Sequence, residues 1–441
     1  MPRADRSRLA ALDVLRAVHE DDAYTNLALP AAIERHRLDA RDAAFATELA
    51  SGTIRRQGTY DAVLAACVNR PLAKVDAVVL DTLRLGAHQL LGMRVPGHAA
   101  SSTSVELARA RGKTSAAGFV NAVLRKVSGR DLEGWMAQID ADVPTRHSHP
   151  AWVVEELRRA VGDAEIEALL VADNASPKVT LVARPGRAER AELPGEPTPY
   201  SPYGVVLSGG SPGSVPAVAE GRAGVQDEGS QLVAVLLAAA PIDGPDVSWL
   251  DLCAGPGGKS ALLAALAAER GAGLVAVERL HHRTRLVARA LAGADGVTGL
   301  LTADGTAPPL RAASVDRVLV DAPCTGLGAL RRRPEARWRR RPGDLDALVP
   351  LQRLLLAAAL ELVRPDGVVV YATCSPVLAE TDEVVTATLR ARHDAVLEDA
   401  APLLPGVSDC AGPLPGTVQL WPHRHGTDAM FMTLLRRSLH P

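Results

Sequence analysis

The chain has 441 residues, 47% apolar and 23% charged, with a formal net charge of −2. That length exceeds one ordinary core, so two or three domains are expected, and near-neutrality excludes a uniformly basic nucleic-acid binder. With aromatic content at 3%, any local nucleic-acid patch would rest on arginine more than on stacking.

No stretch approaches the roughly 20 apolar residues of a membrane span. Residues 1–8 are charged and no apolar segment follows, so no signal peptide is expected. Five scattered cysteines without a Cys-x-x-Cys pair speak against a disulfide framework or a zinc site. A cytoplasmic setting, where free thiols persist, is expected.

Residues 8 to about 128 read as all-helical: Leu9, Leu12, Leu15 and Val18 recur at helical spacing, and thick apolar stripes follow over 78–91 and 105–124. Asn121, inside an apolar stretch, reads as a helix-capping or helix-bridging amide. Residues 130–150 are mixed, and His147 and His149 near their end read as loop residues, with no metal expected. An amphipathic helix is expected over 151–171 and a strand over 178–183. Residues 185–223 are rich in Pro, Gly and Ser, with one short strand at 204–207. Asp227 caps a helix over 232–240. Strands then alternate with helices: strand 247–252, helix 260–270, strand 274–277, helix 280–291, strands 297–302 and 315–320, helix 348–363, strand 368–372 and helix 381–392. A terminal β pair over 418–421 and 430–435 closes the chain. Alternation of this kind predicts a mainly parallel, doubly wound sheet.

Asp251-Leu-Cys-Ala-Gly-Pro-Gly-Gly-Lys259 follows a strand and opens a helix. It is not a phosphate-binding P-loop, because Cys253 stands where that motif needs glycine, and a dinucleotide fingerprint fails at Ser260. What remains is a glycine turn that lets backbone approach a ligand at a helix N-terminus. Acids close successive strands: Glu278 the second, Asp304 the third, Asp321 the fourth. An acidic rim without a phosphate cradle suits S-adenosylmethionine, which carries ribose, an amino group and a sulfonium but no phosphate.

Two apolar runs end in thiols, one delivering Asp321, Pro323 and Cys324, the other Thr373 and Cys374. Both strand ends would open on one crevice. Methyl transfer to C5 of a pyrimidine needs a thiolate at C6, a base for the C5 proton and a carboxyl group near N3. Asp321, Cys324 and Cys374 are those parts, and the residue types alone leave open which cysteine attacks. Beside Cys324, residues 330–341 place seven arginines around one tryptophan. Arg331, Arg332, Arg333, Arg337, Trp338 and Arg339 are expected to contact RNA.

At these residues the chain resembles the RNA (cytosine-5)-methyltransferase superfamily, most closely the 16S rRNA (cytosine-5)-methyltransferase B (Sun/Fmu) family. Pro256-Gly-Gly-Lys259, Asp321-Ala-Pro-Cys324, Ala372-Thr-Cys-Ser375 and Val225-Gln-Asp-Glu-Gly-Ser-Gln-Leu-Val233 carry the resemblance. In the helical region, Asp81-Thr-Leu-Arg-Leu-Gly-Ala-His-Gln-Leu-Leu91 and Val120-Asn-Ala-Val-Leu-Arg125 carry it. The resemblance implies an all-α NusB-like RNA-binding domain over 1–130 and a linker with a small α+β RNA-binding subdomain over 131–223. It implies an α/β Rossmann-like class I methyltransferase domain over 224–441. It further implies that Cys253, Ala254, Gly255, Pro256, Gly257, Gly258, Lys259, Glu278, Asp304 and Asp321 bind S-adenosylmethionine, that Cys374 is the nucleophile and that Cys324 assists product release. The implied substrate is cytosine 967 of free 16S rRNA, with no DNA partner, and the chain is expected to be a monomer. Departures from the family pattern include Glu278 for Asp, Glu380-Thr-Asp for Glu-Asn-Glu, and Asp428-Ala-Met-Phe431 for Asp-Gly-Phe-Phe.

Relatives in the superfamily modify other rRNA or tRNA sites, so another rRNA or tRNA cytosine is the alternative target, and two rival readings of the activity remain. A DNA cytosine-C5 methyltransferase would attack with the Pro-Cys thiol, but the Thr-Cys motif and the helical domain speak against it. A non-catalytic RNA-binding factor on a dead methyltransferase fold is opposed by the intact acids and both thiols.

Overall fold

The structure, a computed structural model, describes residues 5–438. The first four residues of the charged start lie outside the described residues. The chain forms two compact units. One comprises residues up to Glu155, Asp163–Ser176 and a returning segment, Leu330–Arg339. The other comprises Glu156–Gly162, Pro177–Ala329 and the chain from Arg340 onward. Among the described residues no helix is long and apolar enough to cross a membrane.

The first unit is helical. Arg6–Glu20, Thr25–His36, Ala40–Arg55, Gln57–Cys67, Ala77–Leu91, Gly97–Ala110 and Ala117–Val127 follow one another. Several start on an aspartate that accepts backbone N–H groups of the first turn: Asp5, Asp39 and Asp76. Leu12, Leu15, Leu49, Ile54, Leu85 and Leu107 fill one core, and Tyr60, Leu64, Leu83, Val120 and Leu124 another. Polar residues of the motif at 81–91 staple these helices. Buried Asp81 accepts from Arg16 at 2.8 Å and Arg84 at 2.9 Å, His88 Nδ1 lies 2.8 Å from the Tyr60 hydroxyl, and Gln89 accepts from Arg8.

Helical structure runs past residue 130, through Leu132–Gln138, Val143–His147 and Ile166–Asp173. The single helix expected over 151–171 is two, Ala151–Val161 and Ile166–Asp173. Asn121 is exposed rather than bridging. His147 ends its helix, and His149 is buried with Nδ1 2.8 Å from the His147 carbonyl. Burial holds the His149 pKa well below the ordinary imidazole range.

The second unit begins with a small antiparallel sheet of β1 (Thr180–Ala183), β2 (Gly195–Pro197), β3 (Gly204–Leu207) and β4 (Ala223–Val225), in the order β2-β3-β1-β4. β2 lies in the stretch read as Pro/Gly/Ser-rich and β4 begins at its end; each is three residues long, too short for a periodic signal. The large sheet holds β5 (Ser248–Asp251), β6 (Gly273–Glu278), β7 (Val297–Thr302), β8 (Val315–Asp321), β9 (Val363–Thr373), β10 (Ala395–Glu398), β11 (Val418–Gln419) and β12 (Phe431–Arg437). Its order is β10-β12-β9-β8-β5-β6-β7, with β11 on β12. β5 through β9 pair in parallel, whereas β12 runs antiparallel beside β9. The terminal pair expected from sequence is thus part of the main sheet.

Successive strand residues feed opposite cores. Trp249, Leu319 and Val370 face one, with the helices Glu228–Ala239 and Gly258–Glu269; Leu250, Val320, Val369 and Tyr371 face the other, with Asp344–Leu362 and Asp382–Ala391. Strands covered on both faces need continuous apolar runs, which is why these segments read so clearly. β5 lies between β6 and β8, so the strand order reverses there. Crevices at carboxyl ends open at such a point.

Candidate active site

Asp251 ends β5 and is almost wholly buried. It accepts the Ser260 hydroxyl at 2.6 Å and the Cys253 N–H at 3.2 Å, tying the glycine turn to the strand. Burial pushes its pKa up to about 7, against the Ser260 hydrogen bond. The Ala254 N–H bonds to the Val277 carbonyl at 2.9 Å, fixing the turn against β6. Gly257 has φ +112°, a conformation side chains avoid, and a Cβ there would lie 2.6 Å from the Cβ of Ala290. The helix Gly258–Glu269 starts from this turn.

Glu278 ends β6, buried, with Oε1 accepting the Leu280 N–H at 2.9 Å and Oε2 3.7 Å from Arg283. Arg283 also donates to the Gly255 carbonyl at 2.6 Å, so the acid and the turn share one cation. Asp304, after β7, is exposed and accepts the Thr306 N–H at 2.9 Å and hydroxyl at 2.8 Å, which lower its pKa. Asp321, at the end of β8, takes the Lys259 ammonium at 2.9 Å. Burial works against that ammonium, but Asp321 outweighs it and holds the Lys259 pKa above its ordinary value. Pro256 is exposed, Ala254 buried and Cys253 partly buried, and burial raises the Cys253 thiol well above the usual range.

The two sulfurs of Cys324 and Cys374 lie 3.5 Å apart as free thiols. The hydrogen bond shared with Cys374, then burial, push the Cys324 thiol well above its ordinary value. Cys324 therefore keeps its proton at neutral pH. The Lys259 ammonium lies within electrostatic reach of Cys374. The loop carrying Cys324 is clamped to the end of β9: the Gly328 N–H donates to the Cys374 carbonyl at 2.9 Å, and the Ala429 N–H to the Gly328 carbonyl at 2.8 Å. A Cβ on Gly328 would lie 2.1 Å from the Ala429 carbonyl oxygen, so only glycine permits this approach.

Two residues without a sequence signal of their own support the thiols. Glu380, wholly buried, accepts the Thr325 N–H at 2.8 Å, the Gln352 amide at 3.0 Å and the Thr325 hydroxyl. Arg340 donates to the Thr325 carbonyl at 2.9 Å and the Cys324 carbonyl at 3.3 Å. Glu380 stood out only as the unchanged first residue of a divergent triplet, and Arg340 only as one of seven arginines. Glu380→Ala would strand the buried Thr325 N–H and take a partner from the Thr325 hydroxyl and the Gln352 amide, which keep Ser375 and the Pro323 carbonyl. We expect it to lower stability by about 3 kcal/mol and to depress turnover by loosening Cys324 against Cys374, read by thermal melting and a methyl-transfer assay.

Part of the arginine-rich stretch packs within the helical unit. Leu330–Arg339 belongs to the helical unit. Arg337 is wholly buried, donating to the carbonyls of Arg55, Ser148 and Asp173 and to Asn174 Oδ1. Trp338 donates to the Ile54 carbonyl at 2.9 Å, and Arg339 to the carbonyls of Val18 and Ala23. Arg331 is buried and Arg332 half-buried, while Arg333 is exposed above the ring of Tyr24. Arg337, Trp338 and Arg339 direct most of their hydrogen bonds to backbone carbonyls inside the helical unit. Composition cannot distinguish an arginine that binds phosphate from one that satisfies helix ends.

Residues 237–436 match the family profile described as 16S rRNA methyltransferase RsmB/F, and residues 5–129 match the NusB family. The chain is 51% identical, over 98% of its length and 97% of the relative's, to a Mycobacterium tuberculosis protein named only as a methyltransferase. It is 35% identical, over 87% of its length and 88% of the relative's, to ribosomal RNA small subunit methyltransferase B of Pseudomonas putida. Among solved structures it resembles PH0851 with a TM-score of 0.79 at 23% identity, covering 99% of both chains. It also resembles NSun6 from Pyrococcus horikoshii with SFG, with a TM-score of 0.56 at 18% identity, covering 65% of this chain and 98% of that one. At these identities the two structural likenesses show the fold.

Proposed function

This chain belongs to the RsmB/F family of 16S rRNA methyltransferases, and on that premise we propose that it methylates C5 of a cytosine in 16S rRNA, expected at cytosine 967, through a covalent bond from Cys374 to C6 of the base. The observation that carries this reading is the pair of sulfurs 3.5 Å apart with the Lys259–Asp321 ion pair beside them. Bound S-adenosylmethionine supplies an electrophilic methyl group. The site suits it: a glycine turn at a helix N-terminus accepts a carboxylate, and Glu278 offers an acceptor to ribose hydroxyls. Asp304 and Asp321 extend the acidic rim, and the Cys253–Lys259 turn would hold the cofactor through its backbone.

The chemistry assigns unequal work to the thiols. C5 of free cytosine is a poor nucleophile, and addition of the Cys374 sulfur to C6 makes it one. A cation beside that sulfur favours thiolate over thiol, which suits Lys259. Asp321 holds the N3 edge of the base. Cys324 meanwhile retains its proton, chiefly because Cys374 shares it. Once the Cys374 sulfur is bonded to C6, that shared hydrogen bond is lost; Cys324 gives up its proton to solvent and, as a thiolate, takes the C5 proton. The electron pair left behind then expels Cys374 and restores the aromatic ring.

Bisulfite sequencing of 16S rRNA from a strain lacking this gene tests the proposal. We expect one 5-methylcytosine to vanish at position 967 and to return with the intact gene but not with Cys374→Ala. Loss at another cytosine would keep the chemistry and change the target; no loss in any RNA would sink the reading.

A further inference from the structure

We propose that Gln226 binds the amino-acid end of S-adenosylmethionine, its amide donating to the α-carboxylate and accepting from the α-ammonium. The proposal rests on the cofactor reading above. Gln226 is only 6% exposed, yet neither its Oε1 nor its Nε2 has a hydrogen-bond partner. Its backbone is fixed: the N–H donates to the Thr180 carbonyl at 3.0 Å, and its carbonyl accepts the Gln231 amide at 2.9 Å. Gln231, equally buried five residues on, uses both ends of its own amide, accepting the Ser201 hydroxyl and donating to the carbonyls of Leu181 and Gln226. A buried amide idle at both ends is unfavourable and rare. It persists where a ligand completes it.

The position of the amide says which ligand group. A Cβ built on Gly258 would lie 3.9 Å from Cδ of Gln226 and 4.0 Å from its Oε1. The idle amide thus stands over the first residue of the twelve-residue helix Gly258–Glu269. The free N–H groups of that helix end favour an anion. A carboxylate there would find the Gln226 Nε2 as a further donor, and an adjacent ammonium would find Oε1 as an acceptor. One planar amide offers a donor and an acceptor side by side, which matches a zwitterion; a phosphate would use the donor and leave Oε1 unpaired. Gln226 comes from the segment between β4 and the helix Glu228–Ala239, outside the turn that holds the rest of the cofactor.

Isothermal titration calorimetry on the full chain tests this with three ligands. S-adenosylmethionine and S-adenosylhomocysteine carry the amino-acid end; 5′-methylthioadenosine keeps the nucleoside and lacks it. Gln226→Met preserves length and removes the amide. We expect it to weaken the first two by about tenfold and to leave the third unchanged, with an unliganded melting temperature no lower than the parent's. Equal weakening of all three ligands, or of none, overturns the proposal. So does lowered unliganded stability in both Gln226→Met and Gln226→Ala, which would make the residue structural. If the parent chain binds 5′-methylthioadenosine and S-adenosylmethionine alike, the zwitterion contact is absent; if it binds neither, the cofactor reading itself has failed.

Discussion

Cys374→Ala should abolish methyl transfer, and Cys324→Ala should leave the protein covalently trapped on its RNA. The two outcomes differ because, in the mechanism proposed above, the sulfurs act at different steps although they lie 3.5 Å apart. Without Cys374 no bond forms at C6, so C5 is never activated. Without Cys324 the adduct forms and the methyl group transfers, but the C5 proton has no base. Losing a positioned base typically costs about 10²–10⁴-fold in rate, so turnover collapses while the adduct accumulates. The measurement is an RNA–protein band that survives denaturing electrophoresis: present for Cys324→Ala, absent for Cys374→Ala and for the double variant. A trapped band from Cys374→Ala would exchange the roles. Cys324→Ala leaves Glu380 bonded to Thr325 and Gln352, so the loop should keep its place and the variant should report chemistry rather than folding.

Arg337→Met should destabilise the helical unit more than any other change in the arginine-rich stretch. The guanidinium is wholly buried and donates to neutral groups: the carbonyls of Arg55, Ser148 and Asp173 and the side-chain amide oxygen of Asn174. Burial lowers its pKa to about 9. Methionine fills much of the volume but strands those acceptors, at a cost of about 3 kcal/mol, or roughly 6–12 °C in melting temperature for a unit of this size. Arg333→Ala, at an exposed site over Tyr24, should change stability by less than about 1 kcal/mol. Calorimetric melting separates the two. A normal melt for Arg337→Met with weakened RNA binding would return this residue to the role its composition suggested.

Fold class was open to a reader of the sequence because the signals are local. The runs 249–250, 274–277, 318–320 and 368–372, which lead to Asp251, Glu278, Asp321 and Thr373, lie in strands covered on both faces, so each is apolar. Each stops where the chain turns at the carboxyl edge. Helical spacing over the first 128 residues is equally local, and the aspartate caps are short-range hydrogen bonds. Where elements were missed, as at β2, β4 and β10, they are three or four residues long and carry no period.

The site divides along the same line. Asp321, Cys324 and Cys374 could be named from sequence because two strand ends deliver them and one reaction needs all three types. Sequence by itself determined the residue types and their strand-end positions. Tertiary structure decided which polar groups have partners. It set Glu380 under the Cys324 loop and Lys259 on Asp321, left the Gln226 amide idle over Gly258, and turned Arg337, Trp338 and Arg339 inward onto helix carbonyls. The reason is that hydrogen-bond satisfaction joins residues far apart in the chain, and a side chain's type does not say whether its partner is a ligand or the fold.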